Sequence, residues 1–231
     1  MEIDAALPEV EVKPARTYSE VVYRGTGIHV EIENKHWPSS QIIQYRQNTD
    51  PQTPEGAAWL RAEYEKIYRQ VKDPNSKPPR DILDRIINRN LKLKTGRTGL
   101  EVYWEHILLR YCGDCTPTKG ENYLELDMVR NYASTLNFAI TGDLRFSAKG
   151  LNAVRISAAW LNYWLATTTY NVYDTLIRDM GNGITHATEN WTYRDPVINK
   201  NQVKDGLDWF EIKHGEITDM MIRYTVEPIT N

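Results

Sequence analysis

With 231 residues, 41% of them hydrophobic and 10% aromatic, the chain carries enough apolar material to close a core, and a globular protein is expected rather than a disordered polymer. A formal net charge of −3 gives the whole molecule no field that draws it to nucleic acid or anionic lipid, so any such contact has to be local. The first residues, MEIDAALPEVEVKPAR, are acidic where a secretory leader is basic and lack an apolar stretch, so the expected location is the cytoplasm, or a particle made there.

Residues 1–17 show no period and read as an extended arm, leaving 18–231 as one domain. YSEVVYRGTGIHVEIEN then reads as a hairpin, with Val22 before a Gly-Thr-Gly turn and Ile28, Val30 and Ile32 alternating after it. Thr53 and Pro54 look like the cap and first position of a helix running to about Val71. A second helix is expected in PPRDILDRIINRN and a third from about Thr98 to Cys112, with Leu100, Tyr103, Trp104, Ile107, Leu108 and Tyr111 on its apolar stripe. NYLELDMVRNYASTLNFAI predicts a fourth helix, or a helix that passes into a strand near Thr135.

From Gly150 to Met180 the pattern predicts a fifth helix, broken near Thr167-Thr168-Thr169 and closed by Gly181-Asn182-Gly183. Within it Ile156–Tyr173 is uncharged, but its Asn, Ser and Thr side chains are costly in hydrocarbon, so it reads as a buried soluble helix and no membrane contact is expected. The tail predicts a closing hairpin that turns at His214-Gly215, with Met220, Ile222, Tyr224 and Val226 alternating. The resulting expectation is an α+β fold: a helical core of about five helices, antiparallel hairpins near both termini, and the N-terminal arm.

The only cysteines, Cys112 and Cys115, flank a Gly-Asp pair. One close pair is half of a tetrahedral zinc set, and His106 stands about 9 Å of helical rise from Cys112, too far to complete it on an intact helix. A helix C-terminus also disfavours thiolate, so the stretch reads as a turn with two small thiols, and neither metal nor cofactor is expected. No phosphate-cradling glycine loop or serine elbow is present.

Charge is the strongest pattern. Lys77, Arg80, Arg85, Arg89, Lys92, Lys94 and Arg97 face only Asp81 and Asp84 over residues 77–97, while residues 1–50 and 205–227 are acidic. Arg80, Arg85, Arg89, Lys92, Lys94 and Arg97 are therefore candidate contacts to RNA or DNA, or to the acidic ends of a second copy in a homo-oligomer. Of 24 aromatics 21 are Trp or Tyr, and Trp37, Trp191, Tyr193 and Trp209, outside the clear helices, are candidate interface residues.

These features predict a non-catalytic, self-assembling structural subunit, of the kind found in a virus or phage particle. The alternative is an enzyme on a small polar or nucleotide substrate. In that reading Glu105 and His106 transfer protons, Glu101 shares a helical face with Glu105, and Arg97 or Arg110 holds an anion. On a helical layout both glutamates fall on the polar side, away from Trp104 and Leu108.

Overall fold

The structure is a computed structural model that describes residues 23–25, 28–30, 50–112, 123–142, 145–154, 169–196 and 200–230. The expected arm over 1–17, Trp37, Cys115 and residues 156–168 of the uncharged run lie outside the described residues. The N-terminal hairpin is present: β1 (Tyr23–Gly25) pairs antiparallel with β2 (Ile28–Val30), Gly25 opposite Ile28. It forms a two-stranded sheet of its own and does not join the sheet built from the C-terminal half.

Helix α1 (Pro54–Gln70) begins as its sequence dictates. The Thr53 hydroxyl accepts from the Gly56 N–H at 3.0 Å and donates to the Asp50 carbonyl at 2.8 Å, while Pro54 occupies a position whose N–H would be unpaired. Replacing Thr53 with Ala should cost about 1 kcal/mol, read as a lower urea midpoint at unchanged slope, and Thr53→Ser should recover most of it. After a 3-10 turn (Pro74–Ser76), α2 (Ile82–Ile87) is shorter than expected, and Arg89 adopts positive φ just beyond its end. Helices α3 (Gly99–Cys112) and α4 (Tyr123–Asn131) follow, and α4 runs directly into β3 (Tyr132–Gly142).

The remaining strands are β4 (Phe146–Lys149), β5 (Thr169–Gly181), β6 (Ile184–Asp195), β7 (Asn201–Lys213), β8 (Glu216–Tyr224) and β9 (Glu227–Pro228). They form one seven-stranded mixed sheet in the order β4-β3-β8-β7-β6-β5, with β9 beside β7. Only the β3–β8 pairing is parallel, which lets the first long strand lie against the last.

This corrects the expected α+β fold with a helical core. The sheet is the main scaffold, and the predicted fifth helix is in its described part the strand β5, whose Gly181-Asn182-Gly183 is the turn into β6 rather than a helix stop. The cause is visible in burial: Thr175 and Ile177 are buried while Asp174, Leu176 and Arg178 are not, a period of two. The β7–β8 turn falls where expected, with His214 and Gly215 both at positive φ, as a two-residue hairpin connection requires.

The helices pack on one face of this sheet. Helix α3 is buried at every position from Val102 to Leu109, so it has no solvent side; Leu108 and Leu109 are completely enclosed. Removing each such leucine from water contributes ~1.5–3 kcal/mol. The Trp104 indole N–H donates to the Ser76 carbonyl at 2.9 Å, and the Ser76 hydroxyl accepts from the Ile177 N–H at 2.8 Å, which ties the 3-10 turn to both α3 and β5.

Candidate active site

Two polar clusters lie beneath α3. The first begins at Arg97, which is 6% exposed although it is a cation. Its guanidinium donates to Glu105 Oε1 at 2.9 Å, to Asn131 Oδ1 at 2.6 Å and to the carbonyls of Arg130 and Gly215. Arg130 donates from Nε to Glu105 Oε1 at 2.6 Å and from Nη2 to Oε2 at 3.0 Å. Asn131 then donates to Asp127, whose other oxygen lies 2.9 Å from His106 Nδ1, and the His106 ring meets Tyr132 edge-on.

Glu105 therefore lies inside the fold, not on a polar helix face, and spends both oxygens on guanidiniums. Glu101 is set apart from it at the start of α3, where it accepts from the Thr98 N–H at 3.0 Å and takes ion pairs from Arg85 and Lys92. The three residues grouped by the sequence thus have separate surroundings, although Glu105 and His106 join one network through Asn131 and Asp127.

The second cluster was not found by reading the sequence. On β6 the buried residues are Thr185, Ala187, Glu189, Trp191, Tyr193 and Asp195, every second position, so Glu189 points inward between Ala187 and Trp191. Its cross-strand partners on that face are Thr175 of β5 and Asp208 of β7. Tyr103 of α3 donates its hydroxyl to Glu189 Oε2 at 2.6 Å, and the Trp191 indole N–H donates to Asp208 Oδ1 at 2.8 Å. The Thr175 hydroxyl leans toward the same phenol without reaching a hydrogen bond of normal geometry.

Trp191 can cover this row because Gly206 lies opposite it: a Cβ there would stand 2.2 Å from the indole ring. Val172, Trp191, Tyr193 and Val203 form an apolar cluster beyond the carboxyls, and the main core lies on the other side of them. Glu189 and Asp208 thus sit on a polar layer between two apolar regions.

The electrostatics follow from that placement. Burial, and then the Glu189 carboxylate next to it, pushes the Asp208 carboxyl well above the ordinary range. Burial, and then Glu189, also raises the Tyr103 hydroxyl well above its ordinary value. The layer holds a carboxyl biased toward its protonated form beside one that accepts a hydrogen bond, and pairs of acids whose environments separate them in this way supply the acid and the base of proton-transfer sites.

Five of the seven residues of the basic run pair with acids of the same chain. Arg80 pairs with Glu65 at 2.9 Å, Arg85 with Asp81 and Glu101, Lys92 with Glu101, Lys94 with Glu216, and Arg97 with Glu105. Trp191 and Tyr193 are 8% and 7% exposed and pack inside the fold, whereas Trp209 is half-buried on the opposite face of the sheet, against His186. Cys112 is fully buried and donates to the Leu108 carbonyl at 3.3 Å. No group of three metal-ligating side chains occurs among the described residues.

A shallow depression of about 400 Å³ at the start of α3, lined by Thr98, Gly99, Asp179, Asn182 and His214, is a weaker candidate. The Thr98 and Glu101 N–H groups there already have partners in the Glu101 carboxylate and the Thr98 hydroxyl. No helix among the described residues is long and apolar enough to cross a membrane.

No family model and no curated protein matches the chain. Among solved structures it is similar to an NTF2-like protein of unknown function from Cytophaga hutchinsonii, at 14% identity over 57% of this chain and 94% of the other, TM-score 0.37. It is also similar to a candidate scytalone dehydratase from Novosphingobium aromaticivorans, at 11% identity over 56% and 86%, TM-score 0.40. The canthaxanthin-binding orange carotenoid protein of Anabaena matches at 7% identity and TM-score 0.37, the chain spanning 38% of that protein's length and 57% of its own. Overlaps of this size leave function to be read from the chain's own geometry.

The expectation of a structural subunit of a virus or phage particle, associated with nucleic acid, is corrected. The basic residues that motivated the expectation are largely neutralised by acids of the same chain, as an isolated count of charges along the sequence could not register.

Proposed function

We propose that the chain is an acid–base enzyme acting on a small molecule with a carbonyl group, held between α3 and the inner face of the sheet. The observation that carries this reading is the row of Tyr103, Glu189 and Asp208, in which Glu189 accepts from the Tyr103 hydroxyl while burial and the neighbouring Glu189 charge push the Asp208 carboxyl well above its ordinary range. The Asp208 carboxyl donates a hydrogen bond to the substrate oxygen, and Glu189 takes a proton from the adjacent carbon, so that an enol forms and collapses with the proton returned. Tyr103 orients Glu189, and Trp191 orients Asp208. Relative to the alternative read from the sequence, the proton-transfer groups move from Glu105 and His106 to this row.

The test is the exchange of the α-hydrogens of cyclohexanone in deuterated buffer, followed by NMR. The folded wild type should accelerate exchange over buffer. Asp208→Asn and Glu189→Gln should each lower the enzymatic rate by about 10²–10⁴-fold. No acceleration by the wild type with cyclohexanone and its two-ring homologues, or full activity in Asp208→Asn, overturns the reading.

A further inference from the structure

Along α3, Tyr103, His106 and Arg110 stand at i, i+3 and i+7 and so follow one side of the helix. Tyr103 meets Glu189 and His106 meets Asp127 and Tyr132. Arg110 differs: its Nη1 is shut off from solvent and donates to no acceptor among the described residues. It stands on the side of α3 that carries Tyr103 and His106, two turns along from the phenol that meets Glu189. The two other guanidiniums under α3 are spent on Glu105, Asn131 and backbone carbonyls.

A desolvated guanidinium N–H calls for an acceptor, and its planar fork matches the two oxygens of a carboxylate. Resting on the proposed acid–base site, we infer that its substrate is a keto acid: Arg110 holds the carboxylate while the carbonyl lies at Asp208 and Glu189. Seven residues of helix separate Tyr103 from Arg110 by about 10 Å, which sets the two functions at opposite ends of a ring-sized molecule.

The probes are 4-acetylbenzoate and its neutral counterpart 4-acetylbenzamide, with binding measured by calorimetry. Wild type should bind the acid about tenfold or more tightly than the amide. In Arg110→Met the ratio should fall toward one, and in Arg110→Lys, which keeps charge but not the fork, it should fall part of the way. Equal affinity for acid and amide in wild type, binding of neither, or an unchanged ratio in a folded Arg110→Met protein overturns the keto-acid assignment. The wild-type comparison stands even if the methionine variant does not fold. Because cyclohexanone carries no carboxylate, exchange on it reports the acid–base site separately: exchange without acid preference refutes only the keto acid, and absent exchange refutes the site.

Discussion

Glu105→Ala should lose about 3–5 kcal/mol of folding stability, the loss expected when one member of a buried ion pair is removed. Both Glu105 oxygens accept from Arg97 and Arg130, and Arg97 is almost wholly enclosed, so the alanine variant leaves a guanidinium in the interior with a neutral amide and carbonyls as its remaining acceptors. Glu105→Gln, which keeps one carbonyl acceptor, should lose less. The double variant Arg97→Met, Glu105→Leu should recover much of the loss, because two apolar side chains need no pairing. Urea denaturation of the four proteins closes the cycle. A Glu105→Ala protein as stable as the wild type but inactive in α-hydrogen exchange would return Glu105 to the proton-transfer role read from the sequence.

Features written in neighbouring residues were legible in the sequence. The Thr53 and Pro54 start of α1, the span of α3 and the His214-Gly215 turn each depend on local hydrogen bonds or on which backbone angles a residue tolerates. What failed depended on partners far along the chain. Residues 169–181 have few charges and many apolar side chains, and whether they coil or extend is decided by β6, which supplies their hydrogen bonds. The helical layout puts Glu105 on a polar side, yet Arg130, which helps to hold it inside, arrives on a different helix. Lys94 looked free until Glu216 of the last hairpin met it.

The candidate site was partly readable. In ITHATENWTYRD, Glu189 shares the phase of Ala187, Trp191 and Tyr193, and in GLDWFEI, Asp208 shares that of Phe210 and Ile212. A carboxylate in the buried phase of a strand is costly unless it has work to do or a partner, and two on adjacent strands were the available signal. That they stand opposite each other depends on the register of the turn between β6 and β7, which alternation alone does not give.

Asp208→Asn should make the protein more stable at neutral and alkaline pH, by about 1–3 kcal/mol, the ordinary cost of an incompletely satisfied polar group, while lowering exchange activity by about 10²–10⁴-fold. The asparagine side-chain oxygen can still accept from Trp191, so the local packing is kept. The sign of the pH dependence follows from the raised Asp208 carboxyl. Below about pH 4 the carboxyl is protonated in both folded and unfolded chains and contributes no slope. As pH rises from there, the unfolded chain releases the proton while the folded protein holds it, so stability falls until the folded carboxyl also ionises. Glu101 acts in the opposite sense: burial opposes its ionisation, but hydrogen bonds from Lys92, Thr98 and Arg85 hold it below its ordinary value, and its contribution is lost on acidification. The wild type should therefore show thermal stability that declines on both sides of a maximum, and Asp208→Asn should flatten the alkaline side while leaving the acid side in place. A variant whose melting temperature tracks the wild type at every pH means that Asp208 ionises as it does in water, and the proton donor assigned to the site is then gone.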